Sequence, residues 1–283
     1  MRAIKQELLL IVAWAIVALA VFFIGLWGYG VWHDEWSGYN ASWNENVSDG
    51  VCNIAVASVN GDITTMGGET TTEGEEDLLI TNADDVIASL RAAEADPNIL
   101  GVIVNIDSLG GAPVASELIA NALKKLSLPT VALIREFGTS GGYLAATGAD
   151  TIIASPFSDV GSIGVTLSYL ENWEKNAKEG LRFVSLSSGK YKDYGNPDKP
   201  LAAEERALLE RDLKIYHDQF VKEVSENRNL PIEDVAKLAD GSSMPGELAL
   251  KSKLIDALGD QETARAWFAG ELGMSSGEII FCE

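Results

Sequence analysis

Histidine and cysteine are scarce in this chain, with two of each among 283 residues. The histidines, His33 and His217, stand far apart, and neither lies beside a serine or glycine motif. The sequence therefore offers no evident Ser-His-Asp arrangement. The cysteines, Cys52 and Cys282, sit at the two ends of the part that reads as globular. Their spacing does not match a metal site. A disulfide, which needs an oxidising compartment, and two free thiols both stay open. Basic residues are also short: 21 Lys and Arg against 42 Asp and Glu leave a net charge of -21. Such a surface repels phosphate backbones and anionic lipid heads, which argues against nucleic acid as a partner of the soluble part. The acidity is read as serving solubility.

One stretch lacks charge altogether. From Leu8 to Trp32, "LLLIVAWAIVALAVFFIGLWGYGVW", 25 residues carry none. As a helix they reach roughly 37 Å, enough to cross a ~30 Å hydrocarbon core with some tilt. Trp27, Trp32 and Trp36 cluster at the exit, where an aromatic belt lies. Cleaved leaders have apolar regions of about 7–15 residues ending at small residues. Here the run is longer, with Gly, Tyr and Trp at that point, and it reads as a retained anchor. Arg2 and Lys5 precede it and Asp34 and Glu35 follow it. The positive-inside rule then gives a cytoplasmic segment 1–7, a transmembrane anchor 8–32, a tether 33–51 and an extracytoplasmic domain 52–283.

Beyond the tether the order is that of an α/β protein. "NIAVASV" (53–59), "LGVIVNI" (100–106), "TVALI" (130–134), "TIIAS" (151–155) and "RFVSL" (182–186) read as short apolar strands. Between them lie helical stretches: one from about Thr81 to Ala95 ahead of Pro97, one over 113–126, one starting near Ser140, and one over 169–180. This alternation predicts βαβ units and a largely parallel sheet. The acidic stretch 64–77 reads as a loop, 201–228 as a long amphipathic helix, and the remainder as mostly helical. No internal repeat is evident.

The chemistry-bearing candidate is "GTSGGYLAAT" (138–147), which places Ser140 at a strand-to-helix turn. A serine hydroxyl becomes a useful nucleophile only when a base takes its proton and donors hold the oxyanion that follows. A helix beginning here points free N–H groups at developing negative charge. A second glycine turn, Gly110–Gly111 in "NIDSLGG" (105–111), also follows a strand. On adjacent parallel strands the two turns meet at the carboxyl edge of the sheet, where binding crevices form. With no usable histidine, lysine is the alternative base. The loop "SSGKYKDYGNPDKP" (187–200) offers Lys190, Lys192 and Lys199, and physics alone leaves the choice open. Lowering a lysine from its usual 10.4 to about 7 takes roughly 4–5 kcal/mol of bias against the ammonium. The base must therefore sit among apolar groups or neutral hydroxyls such as Ser162, with carboxylates such as Asp193 turned away.

These residues together resemble the signal peptide peptidase A family, membrane-anchored Ser-Lys proteases of the ClpP/crotonase fold. The resemblance runs from about residue 53 to 260. It is carried by "TSGGYLAATGADTIIASPFSDVGSIGV", by "SGKYKD" and by "LADGSSMPGELALKSKLIDALGD" (238–260), in the family's order and spacing. It implies Ser140 as nucleophile, Lys192 as general base, Ser162 as the lysine's hydrogen-bond partner, and Gly111 with Gly141 as oxyanion donors. It implies no metal or cofactor. The expected substrates are peptides, remnant signal peptides among them. The length matches the short members, which implies a ring of copies with the lysine able to reach a neighbour's serine. One departure is "SLGG", where Leu109 replaces the family's usual proline; without that fixed φ the donor loop is expected to be less preorganised. The other functions weighed are a crotonase-type acyl-CoA enzyme and a catalytically silent membrane scaffold.

Overall fold

The computed structural model of the protein describes residues 50–66 and 79–282. The anchor expected over 8–32, all but the last residues of the tether and most of the acidic loop 64–77 lie outside the described residues. Among the described residues no helix is long and apolar enough to cross a membrane.

Among the described residues eight strands form one sheet: β1 (Ile54–Thr64), β2 (Ile80–Asn82), β3 (Gly101–Gly111), β4 (Thr130–Thr139), β5 (Thr151–Ala154), β6 (Asp159–Gly161), β7 (Ser243–Pro245) and β8 (Ala257–Leu258). Its main path runs β2-β1-β3-β4-β5-β8, and every pair along it is parallel. β6 also pairs with β4 in parallel, and β7 closes on β6 as the antiparallel exception. The expected largely parallel α/β architecture is therefore present. The strands are apolar on both sides because both faces are covered. Val102, Val104 and Ile106 enter one core with Leu90 and Ile119, while Ile103 enters a second with Ile54, Val131, Leu133 and Phe268. That alternation is the two-residue period of a strand.

Two helices cover the first face, α1 (Ala83–Ala95) and α2 (Pro113–Lys125). α1 starts one residue later than expected. Its cap is Asn82, whose side chain accepts from the Asp84 N–H, because the Thr81 hydroxyl is spent bridging the N–H and C=O of Asn60. After β4 comes the six-residue α3 (Gly141–Ala146). A later segment supplies α4 (Trp173–Lys178) and the long α5 (Ala203–Arg228). α6 (Ile232–Leu238), α7 (Gly246–Lys251) and α8 (Gln261–Leu272) follow. α8 covers the second face. Its Phe268 ring packs so closely on β3 that a methyl at Gly101 would stand 2.7 Å from it.

Two expected elements are corrected. The helix over 169–180 shrinks to α4, which buries none of its residues. "RFVSL" forms no strand: Leu181, Val184 and Leu186 are exposed, Leu186 at 95%. A strand needs a neighbour for its N–H and C=O groups, and nothing among the described residues runs alongside this one.

The open question about the cysteines is resolved. Cys52 and Cys282 form a disulfide, with Cα atoms 5.1 Å apart. The pairing is supported by backbone, since the Cys282 N–H donates to the Ile54 carbonyl at 2.9 Å and Phe281 bridges Ile54 in parallel.

Candidate active site

β4 delivers the chain to Ser140, and α3 leaves from it. The turn is tight enough to hold Ser140 at φ 50°, ψ -123°. A side chain rarely adopts that conformation, at a cost of about 1–3 kcal/mol, unless its surroundings impose it. Here they do: the Ser140 N–H donates to the Gly161 carbonyl at 2.7 Å, and its own C=O accepts from Leu144 at 3.0 Å. The hydroxyl makes no cap bond to the helix. It projects into a cleft of about 700 Å³ shared with Gly111, Gly141 and Ser162.

The second glycine turn does meet the first. Gly110 and Gly111 have φ of +127° and +155°. A methyl on Gly110 would stand 3.0 Å from the Gly141 nitrogen, and one on Gly141 would stand 3.2 Å from the Gly111 nitrogen. The direction of the Gly111 N–H follows from the ladder. Gly111 is registered with Ile63, whose carbonyl accepts from the next residue, Ala112, at 2.7 Å. In a parallel pair the residue between two bonded neighbours turns its own N–H the other way, here away from β1 and toward Ser140. The Gly141 N–H, in the first turn of α3, has no intrahelical partner. Two backbone donors thus flank the serine.

Behind the Ser140 turn, α3 rests on a buried tyrosine. Tyr143 is fully buried, and its hydroxyl donates to the Leu254 carbonyl at 2.8 Å. Burial pushes its phenol above the ordinary tyrosine range. Beside it Arg228, at the end of α5, makes a two-toothed pair with Asp256, at 2.7 and 3.0 Å.

Ser162 is the second strained serine, at φ 51°. Its N–H donates to the Ser242 carbonyl and its hydroxyl to the Gly241 carbonyl, both at 3.0 Å. With the hydroxyl proton committed, Ser162 offers the cleft lone pairs only.

The lysines separate by partner. Lys190 pairs with Glu204, which holds its ammonium above the usual lysine range. Lys199 pairs with Glu205 at 2.5 Å. Lys192 is exposed in the turn 190–195, and its amine makes no ion pair or hydrogen bond with another described residue. It does not line the Ser140 cleft within one chain. The neighbouring Asp193 carboxylate accepts from the Ser185 and Ser187 hydroxyls, which hold it below the usual carboxylate range.

His217 is a half-buried residue of α5, as its helical setting in the sequence suggests, but its place beside the cleft was not expected. It lies on the cleft wall with Tyr216 and Phe220. The helical spacing of Tyr216, His217, Phe220 and Glu223 was the available signal. Its Nε2 lies 2.9 Å from the Ala239 carbonyl and therefore carries the proton. Its Nδ1 lies 4.0 Å from the Asp218 carboxylate. Among the described residues no group of three or more His, Cys, Asp or Glu side chains is placed to hold a metal.

A strained serine at a strand-to-helix turn, flanked by glycine N–H groups on a mostly parallel α/β sheet, is a hydrolase arrangement. The chain matches the model of Peptidase family S49 over residues 122–275 and belongs to that family of peptidases. A provisionally named signal peptide peptidase SppA of Enterococcus faecium is 30% identical over 86% of this chain and 71% of its own length. A provisionally named protease of Methanocaldococcus jannaschii is 34% identical over 66% of this chain, which spans 61% of that relative. The chloroplastic serine protease SPPA of Arabidopsis thaliana is 29% identical over 79% of this chain, which spans only 33% of it. A solved ClpP1 chain of Listeria monocytogenes aligns over 72% of this chain and 91% of its own, at 12% identity and a TM-score of 0.46.

Proposed function

We propose that this peptidase is a membrane-anchored serine endopeptidase of the ClpP/crotonase type, working through a Ser140–Lys192 dyad. Ser140 attacks the scissile carbonyl, and Lys192 takes its proton and returns it to the leaving amine. The Gly111 and Gly141 N–H groups hold the tetrahedral oxyanion. Ser162, its hydroxyl donating a hydrogen bond to the Gly241 carbonyl, accepts an N–H from the lysine and aims the amine's lone pair at Ser140. The observation that carries the reading is the enforced φ of Ser140, with the second glycine turn packed against it.

The partner pattern favours Lys192 over Lys190 and Lys199. A base cannot be pinned to a carboxylate that stabilises its ammonium. Delivery from a neighbouring copy suits two facts. Lys192 stands outside its own cleft, and the segment around it carries unpartnered apolar residues, with Leu170 and Leu186 85% and 95% exposed. A ring of protomers would cover them. The disulfide suits an oxidising compartment, and so an extracytoplasmic domain behind the anchor over 8–32. Substrates are peptides left in or near the membrane, including signal-peptide remnants, taken into a cleft walled by Val114, Leu144 and Phe220.

Cleavage of casein and of a synthetic signal peptide by the full-length protein tests this against Ser140→Ala and Lys192→Ala. Both variants are expected to lose at least about a thousandfold in kcat, and the wild-type rate to rise with pH as a lysine deprotonates. Cleavage by both variants at the wild-type rate would rule out the dyad. Inactivity of all three proteins, wild type included, would favour the scaffold reading. Acyl-CoA turnover independent of Ser140 would favour the crotonase-type reading.

A further inference from the structure

The turn that presents Gly111 is a β-bulge. On β1, Asn60 pairs with Asp107 and Asp62 with Gly110, so Ser108 and Leu109 together face the single residue Gly61. On the other side the register also slips, from Ile106↔Ile134 to Ser108↔Gly138. Bulges break ladder bonds and re-aim the residues that follow. At such a site the carbonyls opposite the extra residue need other partners.

Two hydroxyls fill the gaps. Ser108, 1% exposed, donates to the Gly61 carbonyl at 2.6 Å and accepts from the Gly110 N–H at 3.1 Å. Thr139, 5% exposed and adjacent to Ser140, donates to the Leu109 carbonyl at 3.2 Å. Upstream, the Phe137 N–H donates to the Asp107 carboxylate at 3.0 Å. Residues 107–110 are thereby stitched to β1 on one side and to the strand bearing Ser140 on the other.

We infer that Ser108 and Thr139 are positioning residues for the oxyanion donors, clamping the bulge so that the Gly111 N–H faces Ser140. Neither hydroxyl touches the reacting atoms. The inference rests on Ser140 being the nucleophile. It also alters the expectation for Leu109: the stiffness that a proline ring would give is supplied here by side-chain hydrogen bonds on both flanks. A clamp of this kind matters most where charge develops. A donor displaced by a fraction of an ångström barely changes binding of a neutral carbonyl but weakens its hold on an oxyanion.

The test uses the full-length protein. Labelling by a fluorophosphonate, present in wild type and absent in Ser140→Ala, establishes the nucleophile separately; an unlabelled wild type overturns both claims. With labelling established, Ser108→Ala is expected to lower kcat about tenfold or more with KM within twofold. Its affinity for a peptide boronate, which forms a tetrahedral adduct on the serine, should fall by a similar factor. Thr139→Val should move both quantities in the same direction, and Thr139→Ser, which keeps the hydroxyl, should stay within about twofold of wild type. This second pair carries the test if Ser108→Ala does not fold. Wild-type kcat and boronate affinity in Ser108→Ala would overturn the inference. So would a kcat loss without loss of boronate affinity, or a Thr139→Ser as impaired as Thr139→Val.

Discussion

Gly110 and Ser140 touch across two strands: a methyl on Gly110 would stand 2.9 Å from the Ser140 Cβ and 3.1 Å from its Oγ. The contact leaves no room for any other residue, and φ of +127° disfavours a side chain in any case. Gly110→Ala is therefore expected to cost about 1–3 kcal/mol of stability. If Ser140 is the nucleophile as proposed, it should also cost at least about a hundredfold in kcat/KM, because relief of the clash must move either Ser140 or the glycine turn. Urea unfolding and peptide cleavage measure the two effects. Activity within tenfold of wild type would mean that the turns are not coupled.

Ser140 itself stores strain. Glycine tolerates φ 50°, ψ -123°, whereas alanine keeps the Cβ that makes it costly. The hydroxyl caps nothing, so removing it forfeits no helix bond. Ser140→Gly should thus be more stable than Ser140→Ala by about 1 kcal/mol, with both inactive. Equal unfolding midpoints in the two variants would show that the backbone is relaxed there.

The parallel sheet was legible because "LGVIVNI", "TVALI" and "TIIAS" are apolar on both faces, as strands buried on both sides must be. Ser140 was singled out because its turn, the second glycine turn and "SGKYKD" occur together in a family's order and spacing, a combination far more specific than a Gly-Ser turn alone. The strand ends were not. β3 runs on through Asp107, Ser108 and two glycines by ladder bonds that leave no hydrophobic signature, and so the bulge at Ser108 was invisible. "RFVSL" misled because its composition is that of a strand while its partner is missing from the described residues of this chain. His217 was set aside because no serine or glycine motif lies near it in sequence, and nearness in sequence does not show what a helix face meets.

Joining Cys52 to Cys282 closes a loop that spans 230 positions. In the chain-entropy view a cross-link of that length contributes about 5 kcal/mol by restricting the unfolded chain. Replacing both cysteines with serine should lower the urea midpoint accordingly and leave kcat within about twofold, since the bridge lies at the opposite end of β1 from the cleft. A midpoint unchanged by dithiothreitol would show that the bond contributes nothing.

Acid should loosen the start of α5. Glu205 accepts from Lys199 and from the Ala202 N–H, and these bonds, the lysine first, hold its carboxyl below the usual 4.5. A depressed folded pKa stabilises above the unfolded value and fades as pH falls through the folded one. Protection against hydrogen exchange over residues 199–206, taken relative to the intrinsic rate at each pH, should therefore fall below about pH 4.5. In Lys199→Ala that protection should already be lower at neutral pH, with less further change on acidification. Equal protection in the two proteins across that range would count against the ion pair as the fastening.

The disulfide also decides where a mechanical load goes. Any pull on the chain ahead of residue 52 arrives at Cys52, and the bond passes part of it at once to Cys282 beside Phe281. Tension is then shared between the root of β1 and the end of the chain, instead of peeling β1 from its neighbours one ladder bond at a time. The cleft end of that strand, where Ile63 backs Gly111, lies downstream of the shared anchorage and is shielded from whatever tugs on the other.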